Sequence, residues 1–332
     1  SDWYKSQTRF GAVSGSTQGT VVAIGGPLRP KMLKAGYGDS FTMALAINAS
    51  DIAFLIPPSI GMIIYGVISG TSIAELFIAG LGPGLLILVL FSAYCYIYAR
   101  RKGIETLEKS SWMDRLRAVR GALWPLGFPV IIIGGIYGGI FSPTEAASVS
   151  VMYALILELL IFRSVSIAEI PGIALSTGLI TAVVFILVGA GNAFSWVLSF
   201  AQVPQEVLGG IGLAGAEPVW ILIAISIAFF IGCMFVDPIV VILVLTPIFA
   251  PIVADAGIDP VLVGTLITLP VAIGSATPPF GCDIFPAIAI FRRPYFDVIR
   301  GTLPFCLFLL LTTVLLRACH RVALFLRDMA FR

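Results

Sequence analysis

Three carboxylates stand in otherwise apolar stretches of this chain: Asp51 in INASDIAFLIPPSI, Asp237 in GCMFVDPIVV and Asp283 in GSATPPFGCDIFPAI. Short polar groups accompany them. Ser14-Gly15-Ser16-Thr17 offers three hydroxyls and a glycine that allows a tight turn, and Gly274-Ser275-Ala276-Thr277 leads into Pro278-Pro279. Oxygen-only groups of this kind suit a small alkali cation, since interrupted helices present unpaired carbonyls and half-helix dipoles for that purpose. Asp51 can act as a direct cation ligand or as a proton carrier. Asp237 has an alternative role as a cap at a hairpin tip, and Asp283 as a polar residue facing a cavity. Single Ser and Thr hydroxyls also bond back to their own helix; clusters at two separate breaks make that explanation insufficient. Redox, zinc and triad chemistry lack raw material. The five cysteines form no CxxC pair, and His320 is the only histidine.

The elements that must position these groups are membrane helices. Apolar residues make up 58% of the 332 positions and charged residues 11%, well below the roughly 25% charged of a soluble domain. Mean hydropathy is +1.03. A bilayer span needs ~20 mostly apolar residues, and 76–99, 145–162, 172–200 and 301–316 qualify. So many spans exclude a signal peptide followed by a soluble domain. The net charge of +2 says little about partners.

Two segments match without gaps at an offset of 221 positions. Pro30 pairs with Pro251, Ala35-Gly36 with Ala256-Gly257, and Pro57-Pro58 with Pro278-Pro279. Each segment has the same plan. A polar kink (SGST at 14–17, VDP at 236–238) opens an apolar arm of about half a span. A tight turn follows, then a longer helix interrupted by the proline pair. A Pro-Pro step removes two backbone donors and breaks a helix. At bilayer depth the freed carbonyls persist only where protein or a polar cavity satisfies them. Each segment therefore reads as a re-entrant hairpin followed by a broken helix, the duplication expected of many secondary transporters.

Charge distribution orients the chain. The loop 100–120 carries seven Lys and Arg residues and the first hairpin exits at Arg29, Lys31 and Lys34, so both face the cytoplasm. Counting spans from there puts 201–219, which has Glu206 and Glu217 but no basic residue, outside. The second hairpin then enters from the opposite face, which makes the repeat inverted. The basic tail, with Arg317, Arg321, Arg327 and Arg332, falls outside against the rule unless it folds back as an amphipathic segment. Glu145 in SPTEAA reads as a helix N-terminal residue, where a carboxylate favours the dipole. The resulting divisions are 1–69 (first hairpin and broken helix), 70–171 (scaffold-like helices), 172–220 (connection), 221–294 (second hairpin and broken helix) and 295–332 (last helix and tail).

FGAVSGST (10–17), FLIPPSI (54–60), GTSIAELFIAGLGPGLL (70–86), GGIYGGIFSPTEAASVSV (134–151), LTPIFAPI (245–252) and SATPPFG (275–281) together resemble the large membrane subunit of TRAP transporters, the tripartite ATP-independent periplasmic transporters. The resemblance implies an all-α, elevator-type importer in the bacterial inner membrane. It implies sodium as coupling ion, no other cofactor, and an organic acid delivered by a periplasmic substrate-binding protein. A small membrane subunit is the other implied partner. It would place Asn48, Ala49, Ser50 and Asp51 opposite the tip Ser14-Gly15-Ser16 as cation groups, matched by Asp237, Gly274, Ser275 and Thr277. Thr17, Pro57, Pro58, Asn192, Ser195, Pro278, Pro279 and Asp283 are the expected substrate path, with interhelical bonding an equal alternative for Asn192 and Ser195.

Departures from the family pattern stand out. Roughly three helices usually precede the first hairpin, and residues 1–9 are polar here, which suggests a truncated chain. Where Ser-Gly-Thr usually precedes LIPPS, this chain has Ala49-Ser50-Asp51; where Asn usually follows the second proline pair, it has Asp283. The alternatives are another inverted-hairpin carrier of the dicarboxylate or citrate type, or a truncated membrane subunit that moves nothing.

Overall fold

A computed structural model describes residues 17–104, 111–210, 215–318 and 320–330. Among these the regular structure is entirely helical. Helix α1 covers residues 17–34 and contains a π turn at Val21–Gly25; α2 (Asp39–Ser50) continues into a 3-10 turn at Asp51–Phe54; α3 is Ile60–Ser69 and α4 Ile73–Arg101. Then come α5 (residues 112–137), α6 (Pro143–Ile161), α7 (Ile170–Phe200) and α8 (Val203–Gly210). The rest are α9 (Pro218–Phe235), α10 (Pro238–Asp255), α11 (Pro260–Ala276), α12 (Ile284–Phe291), α13 (Tyr295–Ile299), α14 (Leu303–Ala318) and α15 (His320–Ala330). Among the described residues, five stretches are long and apolar enough to cross a bilayer: α4, α6, Ile167–Phe200, α9 and α10.

Local chemistry explains where these helices start. Ser72 and Ser142 accept from the backbone N–H three residues on, as N-caps do. Ser142 and Glu145 form a reciprocal capping box, so Glu145 is the helix-starting residue the sequence implies. Proline occupies the first turn of α6, α9, α10 and α11, where its missing N–H has no intrahelical partner to lose.

The chain divides into two compact units. One comprises residues 107–193; there the Tyr153 hydroxyl donates to the Trp124 carbonyl at 2.8 Å and its ring meets Phe128 edge-on. The other comprises residues up to 106 and from 194 onward, and it contains both proline pairs. Within it, α2 and α11 begin 221 positions apart. The turns before them use Gly36 at φ +93° and Gly257 at φ +63°, a left-handed conformation that glycine adopts without a Cβ clash. The arms correct one expectation. At 18 residues, α10 spans ~27 Å at 1.5 Å per residue, far more than half a bilayer.

The halves of this unit share one core. Val21 of α1 and Met43, Ala46 and Ile47 of α2 pack with Ala276, Ile284, Ala287 and Phe291 around the second break, together with Val298. Where α9 crosses α11, a Cβ on Gly274 would lie 2.6 Å from that of Cys233, so only glycine permits this approach. The first turn is tied by Arg29, whose Nε and Nη2 donate to Asp39 at 2.6 and 2.8 Å while Nη1 donates to the Phe291 carbonyl at 3.2 Å. Arg293 adds a second ion pair to Asp39 at 3.0 Å. The basic tail is helical, packs on α4 through α15, and pairs Arg327 with Asp259, the N-cap of α11. A charge standing against the positive-inside pattern thus has a carboxylate partner.

Candidate functional site

The first break begins at Asp51, where the α-helix tightens into a 3-10 turn, and ends at Ser59, whose hydroxyl donates to the Phe54 carbonyl at 2.7 Å. Asn48 turns its amide back to the Ala44 carbonyl at 2.9 Å and accepts from the Cys306 thiol at 3.6 Å. Ser50 donates to the Ile47 carbonyl at 2.5 Å. Ala49 is half-buried and offers only backbone. Asp51 itself is 1% exposed.

In the second break α11 stops at Thr277, and the chain re-enters a helix after Asp283. Ser275 donates to the Ala272 carbonyl at 2.8 Å and is also 3.4 Å from Asp51 Oδ1. Thr277 donates to the Ile273 carbonyl at 2.5 Å. The backbone N–H of Asp283 reaches back to the Ser275 carbonyl at 3.1 Å, which folds the loop over the end of α11. Both proline pairs, Pro57-Pro58 and Pro278-Pro279, are joined by cis peptide bonds.

The breaks meet at their carboxylates. Asp51 and Asp283, from the two halves, both lie beside Ser275 and both are buried. Thr17 donates to Asp283 Oδ1 at 2.6 Å and Ser275 reaches Asp51 Oδ1, yet the Oδ2 atom of each aspartate has no hydrogen-bond partner. No lysine or arginine among the described residues pairs with either. Two like charges in a low-dielectric interior without compensation are strongly unfavourable. The arrangement therefore calls for a positive partner or a proton shared by the pair.

Asp237 lies near Asp283 but is not part of the pair. It caps α10 by accepting from the Ile239 N–H at 2.9 Å and receives a long contact from Gln18 at 3.4 Å. With Thr17, Gln18, Phe54, Ile60, Pro238 and Ile239 it lines a cavity of about 130 Å³. Thr17 belongs to both places: it lines the cavity and its hydroxyl bonds Asp283. A larger cavity of about 260 Å³, lined by Tyr65, Phe229, Thr246, Phe249 and Pro260 among others, has no charged group among its described lining residues. Ser195 is buried and donates across to the Leu243 carbonyl at 3.3 Å, the interhelical alternative, while Asn192 is exposed. Ser14, Gly15 and Ser16 lie outside the described residues.

Sequence reasoning missed Gln18, Phe54 and Cys306. Gln18 adjoins the SGST motif and Phe54 begins FLIPPS, so position alone signalled them. Nothing in the spacing of the thiols distinguished Cys306.

An all-helical membrane protein centred on two interrupted helices with converging polar groups has the plan of a secondary transporter. A sequence profile described as the tripartite ATP-independent periplasmic transporter, DctM component, matches residues 5–322. The ectoine/5-hydroxyectoine TRAP transporter large permease protein UehC of Ruegeria pomeroyi is 72% identical over 324 residues, 98% of this chain and 76% of that protein. The ectoine TRAP transporter large permease protein TeaC of Halomonas elongata is 70% identical over 327 residues, covering 98% and 77%. A C4-dicarboxylate TRAP transporter large permease, DctM of Pseudomonas aeruginosa, is 36% identical over 315 residues, covering 95% and 74%. The chain belongs to the DctM family of TRAP transporter large permeases. It is a transport subunit of the inner membrane, not an enzyme, and works with a periplasmic substrate-binding protein and a small membrane subunit.

Proposed function

We propose that this permease carries an ectoine-type solute inward, driven by sodium, through two inverted halves that move as an elevator. The observation that carries the substrate is the contrast in identity: 72% and 70% to permeases named for ectoine, against 36% to one named for C4-dicarboxylates. Ectoine is a cyclic amidine bearing a carboxylate, so the organic acid expected from the sequence becomes a zwitterion. Sodium would be held by oxygens at the two breaks: Ser14, Gly15 and Ser16 with Asn48, Ala49 and Ser50 in the first half, and Gly274, Ser275 and Thr277 in the second. Thr17 and the proline pairs would border the solute path. Support comes from the paired breaks, each of which frees backbone carbonyls next to hydroxyls. At such sites sodium and solute binding favour the same state, so that the gradient of one drives the other.

The test is uptake of radiolabelled ectoine into liposomes holding this permease, its small subunit and its binding protein. An inward sodium gradient should drive accumulation, an equal potassium gradient should not, and labelled succinate should stay outside. Accumulation of succinate but not ectoine would overturn the substrate, and equal uptake without sodium would overturn the coupling.

A further inference from the structure

We infer that the Asp51–Asp283 pair is the counter-charge for the positive end of the solute, an amidinium, and is not an alkali-ion site. This rests on the reading above that an ectoine-type zwitterion is the cargo. The pair has three properties that such a group requires. Its two carboxylates come from opposite halves and meet beside Ser275, whose hydroxyl lies 3.4 Å from Asp51 Oδ1 and whose carbonyl accepts from the Asp283 N–H at 3.1 Å, so a planar cation with two N–H groups could bridge them. Each keeps one oxygen, Oδ2, without a partner although buried, which leaves acceptors for those N–H groups. Amidinium and guanidinium match carboxylates through parallel, charge-assisted hydrogen bonds that a spherical ion cannot form.

The rest of the surroundings agrees. Thr17, which bonds Asp283, also lines the neighbouring cavity, whose described lining has apolar walls in Phe54, Ile60 and Pro238 and carries Asp237 as its charged residue. A dianion there would meet repulsion from Asp237 and the pair behind it. Asp51 and Asp283 are both among the departures from the usual family pattern, Asp51 within the Ala49-Ser50-Asp51 that replaces Ser-Gly-Thr and Asp283 where Asn is usual. A general sodium site would not need either departure. The hydroxyls proposed above for sodium include those of Ser50, Ser275 and Thr277, and each of the three also bonds a carbonyl of its own helix.

The experiment uses the purified permease with its small subunit, in saturating sodium and without the binding protein. Ectoine binding is followed by titration calorimetry, and sodium binding by thermal unfolding in the absence of solute. Wild type should bind ectoine, acetamidinium should displace it, and succinate should not. Asp283→Asn restores the residue usual in the family, so it should fold; it should weaken ectoine at least about tenfold, the scale of one charge-assisted hydrogen bond. Asp51→Asn should do the same, and both variants should keep the sodium-dependent rise in melting temperature. Loss of the sodium response with ectoine affinity unchanged overturns the inference and makes the pair an alkali-ion site. Failure of the wild type to bind or take up ectoine is a different result: it removes the cargo reading first and the inference with it. Should a variant fail to fold, competition on the wild type decides, since displacement by succinate as readily as by acetamidinium overturns the assignment.

Discussion

The helix that leads to the first proline pair and the helix that leads to the second begin 221 positions apart, at Asp39 and Pro260. Their charge sits on opposite sides of the break. In the first half the carboxylate precedes the prolines, as Asp51; in the second it follows them, as Asp283. The hydroxyls differ as well: Ser275 reaches Asp51 across the halves, while Ser50 bonds only back to Ile47. A common spacing of breaks thus supports two unlike polar environments, and neither is complete alone. The turns repeat the lesson. Asp39 is held by two arginines near it in space, whereas Asp259 caps its own helix and takes Arg327 from the end of the chain.

The largest effect would test whether the halves are inverted. In a cysteine-free background, Ala35→Cys and Ala256→Cys place single thiols at the two turns. An impermeant thiol reagent should label one from the cytoplasmic face and the other from the periplasmic face, each nearly completely and from that side alone. Labelling of both from one face ends the inverted arrangement.

Next in size is the sodium response. A ligand that binds only the folded state stabilises it by about 2.7 kcal/mol per site at 100 times its dissociation constant. Unfolding temperature in detergent should therefore rise with sodium but not with choline at equal ionic strength. Ser275→Ala with Thr277→Ala should remove part of that rise, and Ser14→Ala with Ser16→Ala the other part. If either pair abolishes the whole response, the two halves share a single site.

The smallest effect separates the turns. Arg29→Gln removes a bidentate pair with Asp39 and a bond to the Phe291 carbonyl, so a loss of about 1.5–2 kcal/mol is expected for these charge-assisted bonds. Arg327→Gln removes its pair with Asp259 and a partly exposed one with the adjacent Asp328, and should cost under about 1 kcal/mol. Denaturation of the two variants side by side checks the order; a larger loss from Arg327→Gln would mean that the tail anchors the second turn more firmly than Arg29 anchors the first.

The sequence by itself determined much of this molecule, because the determinants are local. Runs of apolar residues set the spans, proline pairs set the breaks at 57–58 and 278–279, and Ser142 with Glu145 set a helix start. Glycines at 36 and 257 set the turns. Each follows from properties of neighbouring residues, and so does the need for a partner at every buried aspartate. The length of the arms was less legible, since an apolar stretch bounded by a kink does not say how far its helix runs.

Only the tertiary structure decided which partners meet. Asp51 and Asp283 are 232 positions apart, Thr17 and Asp283 are 266 apart, and Arg327 and Asp259 are 68 apart. No periodicity or motif encodes such pairings. They arise because Val21, Met43 and Ile47 bury their side chains against Ala276, Ile284 and Phe291, and that packing carries the polar groups of both breaks to one place. The same packing leaves Asp237 beside the pair, in the wall of a cavity. Hydrophobic burial is non-directional and acts on whole faces of helices, so the positions of the few polar groups those faces carry follow from how the helices pack.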